Sequence, residues 1–404
     1  MSEFQYYEFV AVDRSLSREE MADLRSISSR AKITPTRFTN VYSYGDFRGD
    51  VMALMERYYD AHVYVANWGT HTLMFSVPRA AVDSEELKPY RVEGGFAMEV
   101  RGERTILTLA ASDDSGESSG WVDEAEAEGW MGSLVSLRGD IMNGDVRALY
   151  LAWLRGVQMS GVPGADDEDD EVDYGEDFPS RDTVEPPVPP GLRKLSASLN
   201  SLIEFLELDA DLVAVAAERS ETLHRIEPSL KDLDAWAGRL PNDERITSLS
   251  RLLHGDNQHR MELLRRFRAE TAPPGKASKE ASRRTVGELV DAAKAHSVER
   301  KRKEAEAAKK ERVRRAEEEA KALEERLKSL AGHERAAWQQ IETLIDTKQQ
   351  GEYDQAVALL KDLSALARRE DKSSAFTIRL SDLRARHPHK SSLLRKLKEA
   401  GLSS

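Results

Sequence analysis

The sequence predicts a multidomain chain, α+β at its N-terminus and all-α beyond. Three observations carry that expectation. At 404 residues, a scale of roughly 100–200 residues per domain gives two or three domains. The first 160 positions alternate aromatic and β-branched runs with short capped helical segments. From Leu192 onward, apolar residues recur three and four apart, the spacing that lines one side of a helix.

In the first part, FQYYEFVAVD (4–13) reads as a strand, and Ser17 with Glu20 forms a capping box for the helix that follows. Thr36 to Phe47 reads as a second strand with a turn at Tyr44-Gly45. Asp50 caps VMALMERYYD. AHVYVAN and THTLMFSVP read as strands joined at Trp68-Gly69, and Phe96–Val100 with Thr105–Leu109 as a hairpin around Gly102. GWMGSLVSLRGDIMNG and DVRALYLAWLRGVQ read as a helix pair. Residues 1–160 are therefore expected to form one α+β domain.

Composition changes at 161–191. Between Asp166 and Glu185 there are eleven acidic side chains and a single basic one, Arg181, followed by EPPVPPG. So few apolar groups cannot offset the roughly 1–2 kcal/mol per residue that ordering a backbone costs, so a disordered acidic linker is expected.

Residues 192–271 read as a helical bundle, with Leu195, Leu199, Leu202, Ile203 and Leu206 on one face and Asp209 as a cap. Asp232 is expected to start the helix of Leu233, Trp236 and Leu240, and Glu244–Leu253 and Asn257–Phe267 to complete the bundle with core-facing stripes. TAPPGKAS separates it from Thr285–Leu330, a stretch without proline that reads as one charged helix of about 65–70 Å at about 1.5 Å per residue. Thr285 and Glu288 make its capping box. Glu299/Lys303, Glu306/Lys310, Glu317/Lys321 and Glu324/Lys328 are acid-first pairs four apart, each worth roughly 0.2–0.5 kcal/mol. Val313, Ala316, Ala320, Leu323, Leu327 and Leu330 draw a narrow seam of coiled-coil type, which calls for a partner helix. Residues 331–404 read as a helical domain: a hairpin like one tetratricopeptide unit, then two short amphipathic helices.

Charge along the long helix is polarised. Arg300–Arg315 holds nine Lys or Arg (Arg300, Lys301, Arg302, Lys303, Lys309, Lys310, Arg312, Arg314, Arg315) and three Glu, whereas Glu317–Glu325 holds five acids and one Lys. Three partners fit: the acidic linker, an antiparallel copy, or a nucleic-acid backbone also contacted by the tail cations Arg384, Arg386, Lys390, Arg395, Lys396 and Lys398. No aromatic side chains interleave with the basic run, which favours nonspecific phosphate contact over base stacking.

Bulk composition excludes several chemistries. The chain has no cysteine, which removes disulfides, thiolate metal sites and cysteine nucleophiles and fits a cytoplasmic setting. Neither an export signal nor a membrane-spanning run is read in the sequence. Phosphate-loop, dinucleotide, zinc-protease and hydrolase motifs are missing, so no cofactor is expected. His387-Pro388-His389 supplies only two imidazoles for a metal. Asp46, Asp50, Asp60, Asn67 and His71 are the polar set that proton-transfer chemistry would draw on in the first domain.

FLELDADLVAVAAERS, LLRRFRAE, TVGELV, AWQQIETLIDTK, YDQAVALLKDLSALA and RHPHKSSLLRKL, with ITPTRF, YGDFRGD and YVANWGTHTLMF nearer the N-terminus, resemble a family of bacterial proteins of unknown function over most of the chain. The C-terminal hairpin and tail also resemble the ends of bacterial SWIM zinc-finger proteins. The zinc-binding cysteines of those proteins are missing here, so that resemblance implies a shared interaction module. Together these features lead to a non-enzymatic scaffold or adaptor with a binding end on either side of the long helix. Two alternatives remain open, a nucleic-acid-associated protein with the acidic linker as a lid and an enzyme with its site in the N-terminal domain.

Overall fold

A computed structural model describes residues 4–111, 124–162, 178–223, 229–255, 257–271, 283–347 and 349–402. They pack as two units, and the division falls within the long helix, after Glu299.

The first unit is built on one antiparallel sheet. Its strands are β1 (Gln5–Val10), β2 (Lys32–Ile33), β3 (Arg37–Tyr42), β4 (Ala61–Ala66), β5 (His71–Pro78), β6 (Phe96–Arg101) and β7 (Arg104–Ala111), in the order β2-β3-β1-β4-β5-β7-β6. Helices α1 (Arg18–Ile27), α2 (Val51–Arg57) and the single turn α3 (Ser84–Leu87) interrupt the strands. Successive side chains of a strand point to opposite faces, so the sheet has two cores. On one face Phe9, Phe38, Met74 and Ile106 pack with Leu24 of α1 and Leu54 and Met55 of α2. On the other, Tyr6, Val63, Val65, Leu73, Phe75, Leu107 and Leu109 pack under helices.

Those helices are α4 (Glu124–Leu134), α5 (Ser136–Met142), α6 (Arg147–Met159), α7 (Ala197–Phe205) and α8 (Ala210–Glu218). The capping boxes at Ser17/Glu20 and the caps at Asp50 and Asp209 form as expected, and Gly102 turns the β6–β7 hairpin at φ +55°. One expected helix is divided, however, into α4 and α5. The boundary drawn at 160 also fails to mark an edge of the core, because Leu199, Leu202, Phe205, Leu212 and Val215 of α7 and α8 lie in the same apolar cluster as the sheet.

Helices α9 (Leu230–Ala237), α10 (Asn242–Leu253) and α11 (Asn257–Thr271) follow. Trp236, Leu240 and Phe267 make a small cluster of their own. Ser229, three residues before the expected Asp232, caps α9 by accepting from the Asp232 amide. The stripe on α10 expected to face a core does not: Ile246, Leu249 and Leu253 are 58%, 59% and 79% exposed.

The long helix, α12 (Val286–Leu330, 45 residues), begins inside the first core, where Val286, Leu289 and Ala293 are buried. The expected linker is what receives it. Residues 163–177 lie outside the described residues, but 178–191 are packed, contrary to the expectation for that part. Val184 bridges to Thr285, and the amides of Glu185, Val286 and Gly287 donate to Arg284, Thr183 and Arg181 carbonyls at 2.9 Å. Arg181 also pairs with Asp291 at 2.6 Å.

Buried beneath this bridge, Arg284 donates to both Glu185 carboxylate oxygens, from Nε at 2.9 Å and Nη2 at 2.7 Å, while Tyr150 donates to Glu185 at 2.5 Å. Burial and the neighbouring Glu185 carboxylate keep the Tyr150 hydroxyl well above its ordinary range. An average over the acidic run conceals this pair, since Arg284 lies 99 positions further along.

In the second unit, α13 (Glu334–Asp346) and α14 (Gln350–Arg369) pack Trp338, Ile341 and Ile345 against Tyr353, Ala356, Val357 and Leu360, as the hairpin reading expects. Leu380 and Leu383 of α15 (Ser373–Arg386) and Leu393 and Leu397 of α16 (Ser391–Glu399) close the core. Gly351 sits in the first turn of α14.

Removing one partner from a buried ion pair leaves the other charged and unpaired, at a cost of roughly 3–5 kcal/mol. Arg284→Met should therefore lower the urea-unfolding free energy of the first unit by about that amount. The double variant Arg284→Met/Glu185→Leu should recover much of it. A single substitution costing well under ~1 kcal/mol contradicts the anchoring role.

Candidate functional site

Beyond its anchored start, α12 is held as a helix by local contacts. Arg300 reaches Glu304 at 3.0 Å, Arg315 reaches Glu311 at 3.0 Å, and Arg314 lies between Glu311 (2.9 Å) and Glu318 (3.5 Å). The expected Glu324–Lys328 pair closes at 2.8 Å, and the Lys328 ammonium beside it holds the Glu324 carboxyl below its usual range. These contacts keep the backbone helical without covering it.

From Lys301 to Ala322 every residue is exposed except the half-buried Glu311. The seam is therefore split. Leu327 is buried, and Leu323 and Leu330 are half-buried, with Leu330 packed on the core of α13–α16 and Arg326 lying 3.7 Å from Asp362. Val313, Ala316 and Ala320 remain open, Val313 by 51%. On the same stretch Arg300, Lys301, Arg302, Lys303, Lys309, Lys310, Arg312, Arg314 and Arg315 are all exposed.

The tail cations behave differently. Arg386 pairs with Glu342 at 2.8 Å, and Lys390 donates to the Ile345 carbonyl at 2.6 Å and lies 3.6 Å from Asp346. Lys396 pairs with Asp354, and Arg395 lies 3.8 Å from Glu399 of its own helix. Arg386, Lys390 and Lys396 thus tie α15 and α16 to α13 and α14. Arg384 is half-buried and Lys398 exposed. A charge count along a sequence cannot separate such ties from a binding surface; only the carboxylates opposite do. Sequence reasoning also missed Arg379, whose guanidinium sits 4.8 Å over the Trp338 ring. No group of three or more metal-capable side chains occurs among the described residues, His387 and His389 included.

The polar set of the first domain is dispersed. Asp46 accepts from the Gln5 amide at 2.9 Å, Asp50 caps α2 at the Ala53 amide, and Asn67 accepts from the Phe4 amide at 3.1 Å. Asp60 is buried in a staple: it accepts from the Val12 and Asp13 amides at 2.7 and 2.9 Å and pairs with Arg104 at 2.8 Å. Arg138, also buried, joins it by a two-pronged contact to Asp13 at 2.9 and 2.6 Å. His71 stacks on Phe205 and donates to its carbonyl at 2.8 Å.

His62, which the sequence does not single out, lies on the opposite face of the sheet, stacked 4.0 Å from Phe9 with Nδ1 donating to the Glu8 carbonyl at 2.9 Å. Burial pushes its imidazole down to about 4 from the ordinary 6.5. The neutral ring therefore belongs to the fold, and protonation favours the unfolded chain. Its contribution is complete above about pH 6.5 and is lost as pH falls through about 4, with on the order of 3 kcal/mol involved. His62→Asn, which keeps a donor near Glu8, should flatten the decline of the urea midpoint over that window. An unchanged slope contradicts the assignment.

In comparison with known proteins, no family model, no curated protein and no solved structure matches the chain.

Proposed function

We propose that this chain is a non-enzymatic scaffold or adaptor that docks protein partners on two folded units carried by one continuous helix. The observation that carries this reading is where apolar surface is left open. Both units bury well-filled cores, yet Ile246, Leu249 and Leu253 form an exposed row at helical spacing on α10, and Val313, Ala316 and Ala320 form another on α12. Contiguous exposed apolar rows rimmed by charge mark interaction surfaces. Two sets of buried ionisable groups in the first unit pair in ways that serve packing: Asp60 with Arg104 and Arg138, and Glu185 with Arg284. A cysteine-free composition supports a cytoplasmic setting, and among the described residues no helix is long and apolar enough to cross a membrane.

A second reading draws on the nine exposed cations of Arg300–Arg315, which suit a phosphate backbone and would give binding that falls steeply with salt. The pairing of Arg386, Lys390 and Lys396 with Glu342, Asp346 and Asp354 supports it less, since it commits three of the tail cations to the fold.

Cross-linking in the native cell, followed by mass spectrometry of the tagged full chain, tests the adaptor. Two distinct partner sets should appear, one linked to α9–α11 and another to α12–α16. Ile246→Asp/Leu249→Asp/Leu253→Asp should remove the first set and spare the second. A chain that captures no specific protein, or loses every partner together, contradicts the reading.

A further inference from the structure

From the pattern of charge beside the open seam, we infer that α12 pairs antiparallel with α12 of a second copy of this chain. This rests on the adaptor reading of that helix and identifies one of its partners. At about 100° per residue, the seam positions Val313, Ala316 and Ala320 place Lys310 and Glu317 along one flank and Arg312 and Glu319 along the other.

In an antiparallel pair each flank meets the same flank of the other helix, running the opposite way. With the two-fold axis between Arg314 and Arg315, Val313 faces Ala316 of the second copy. Lys310 then faces Glu317 and Arg312 faces Glu319, each contact occurring twice. The intrachain pairs of Arg314 and Arg315 with Glu311 and Glu318 lie on the outer side and need not break.

A parallel pair is disfavoured by the same charges. It would lay the basic run against its own copy, nine cations beside nine, and would set Glu319 against Glu324, keeping Arg312 against Glu317 as its one attractive flank contact where the antiparallel pair has both flanks matched. The stretch is accessible, since Lys301 to Ala322 is exposed but for the half-buried Glu311. Two layers of Val and Ala bury little apolar surface, so the association depends on its ion pairs and weakens with salt.

Sedimentation equilibrium of the full chain tests this. It should show a monomer–dimer equilibrium at roughly 50 mM salt, weakening about tenfold or more at roughly 500 mM as the Debye length shortens. Lys310→Glu/Arg312→Glu should abolish the dimer, and adding Glu317→Lys/Glu319→Lys should restore it, a rescue that misfolding cannot mimic. Because the chain has no cysteine, a spin label at Lys301→Cys reads the direction: about 40 Å between copies if antiparallel, from 27 positions at about 1.5 Å each, and well under half that if parallel. A monomer at low salt, a dimer indifferent to the charge reversal, or the short distance overturns the inference. A monomer that still holds its cross-linked partners overturns the pairing alone and leaves the adaptor standing.

Discussion

Glu185 and Arg284 meet out of water, closed over by Tyr150 and joined by a β-bridge one residue further along. A carboxylate and a guanidinium removed from solvent are tolerated only when each is fully engaged. Here both carboxylate oxygens accept from Arg284, and a third guanidinium contact goes to the Val215 carbonyl. The pair fixes the start of α12, whose Val286, Leu289 and Ala293 are buried in the first core. It also converts an acidic, proline-rich segment into part of the fold: the Tyr90 hydroxyl donates to the Pro187 carbonyl, and Arg147 reaches the Gly191 carbonyl. Gly287 belongs to the same arrangement, because a Cβ there would lie 3.1 Å from the Arg181 guanidinium.

Past that anchor, the physics of α12 changes from burial to local chemistry. Exposed helices are stabilised chiefly by side-chain pairs three and four apart, each small. Lys301–Ala322 has such pairs and little else. The narrow apolar row of Val313, Ala316 and Ala320 lies exposed on this stretch. At the far end Leu327 is buried and Leu330 packs on the second core, so one pattern serves packing at its end and remains open in its middle.

Local rules were readable from residues alone. Ser17 with Glu20, Thr285 with Glu288, Asp50 and Asp209 cap where their spacing says, because capping depends on neighbours within one turn. Contacts between distant positions were not readable. Nothing near Glu185 announces Arg284, and nothing in the basic tail announces Glu342, Asp346 and Asp354 on α13 and α14. Periodicity likewise shows that Ile246, Leu249 and Leu253 share a side of α10 without showing whether anything lies against it. The polar set of the first domain shows the same limit: Asp46, Asp50, Asp60, Asn67 and His71 are near one another in sequence, yet each side chain takes its own packing or capping partner.

Both the adaptor and the antiparallel pair depend on α12 remaining a single water-faced helix across its middle. Paired spin labels at Lys301→Cys and Ala322→Cys in the full chain, diluted with unlabelled protein, measure this directly by dipolar spectroscopy. A continuous helix puts 21 positions at about 1.5 Å each between them and predicts a narrow distribution near 32 Å. A broad distribution centred well below that value would show the helix broken and would remove the shared axis on which both the adaptor and the antiparallel pair are built.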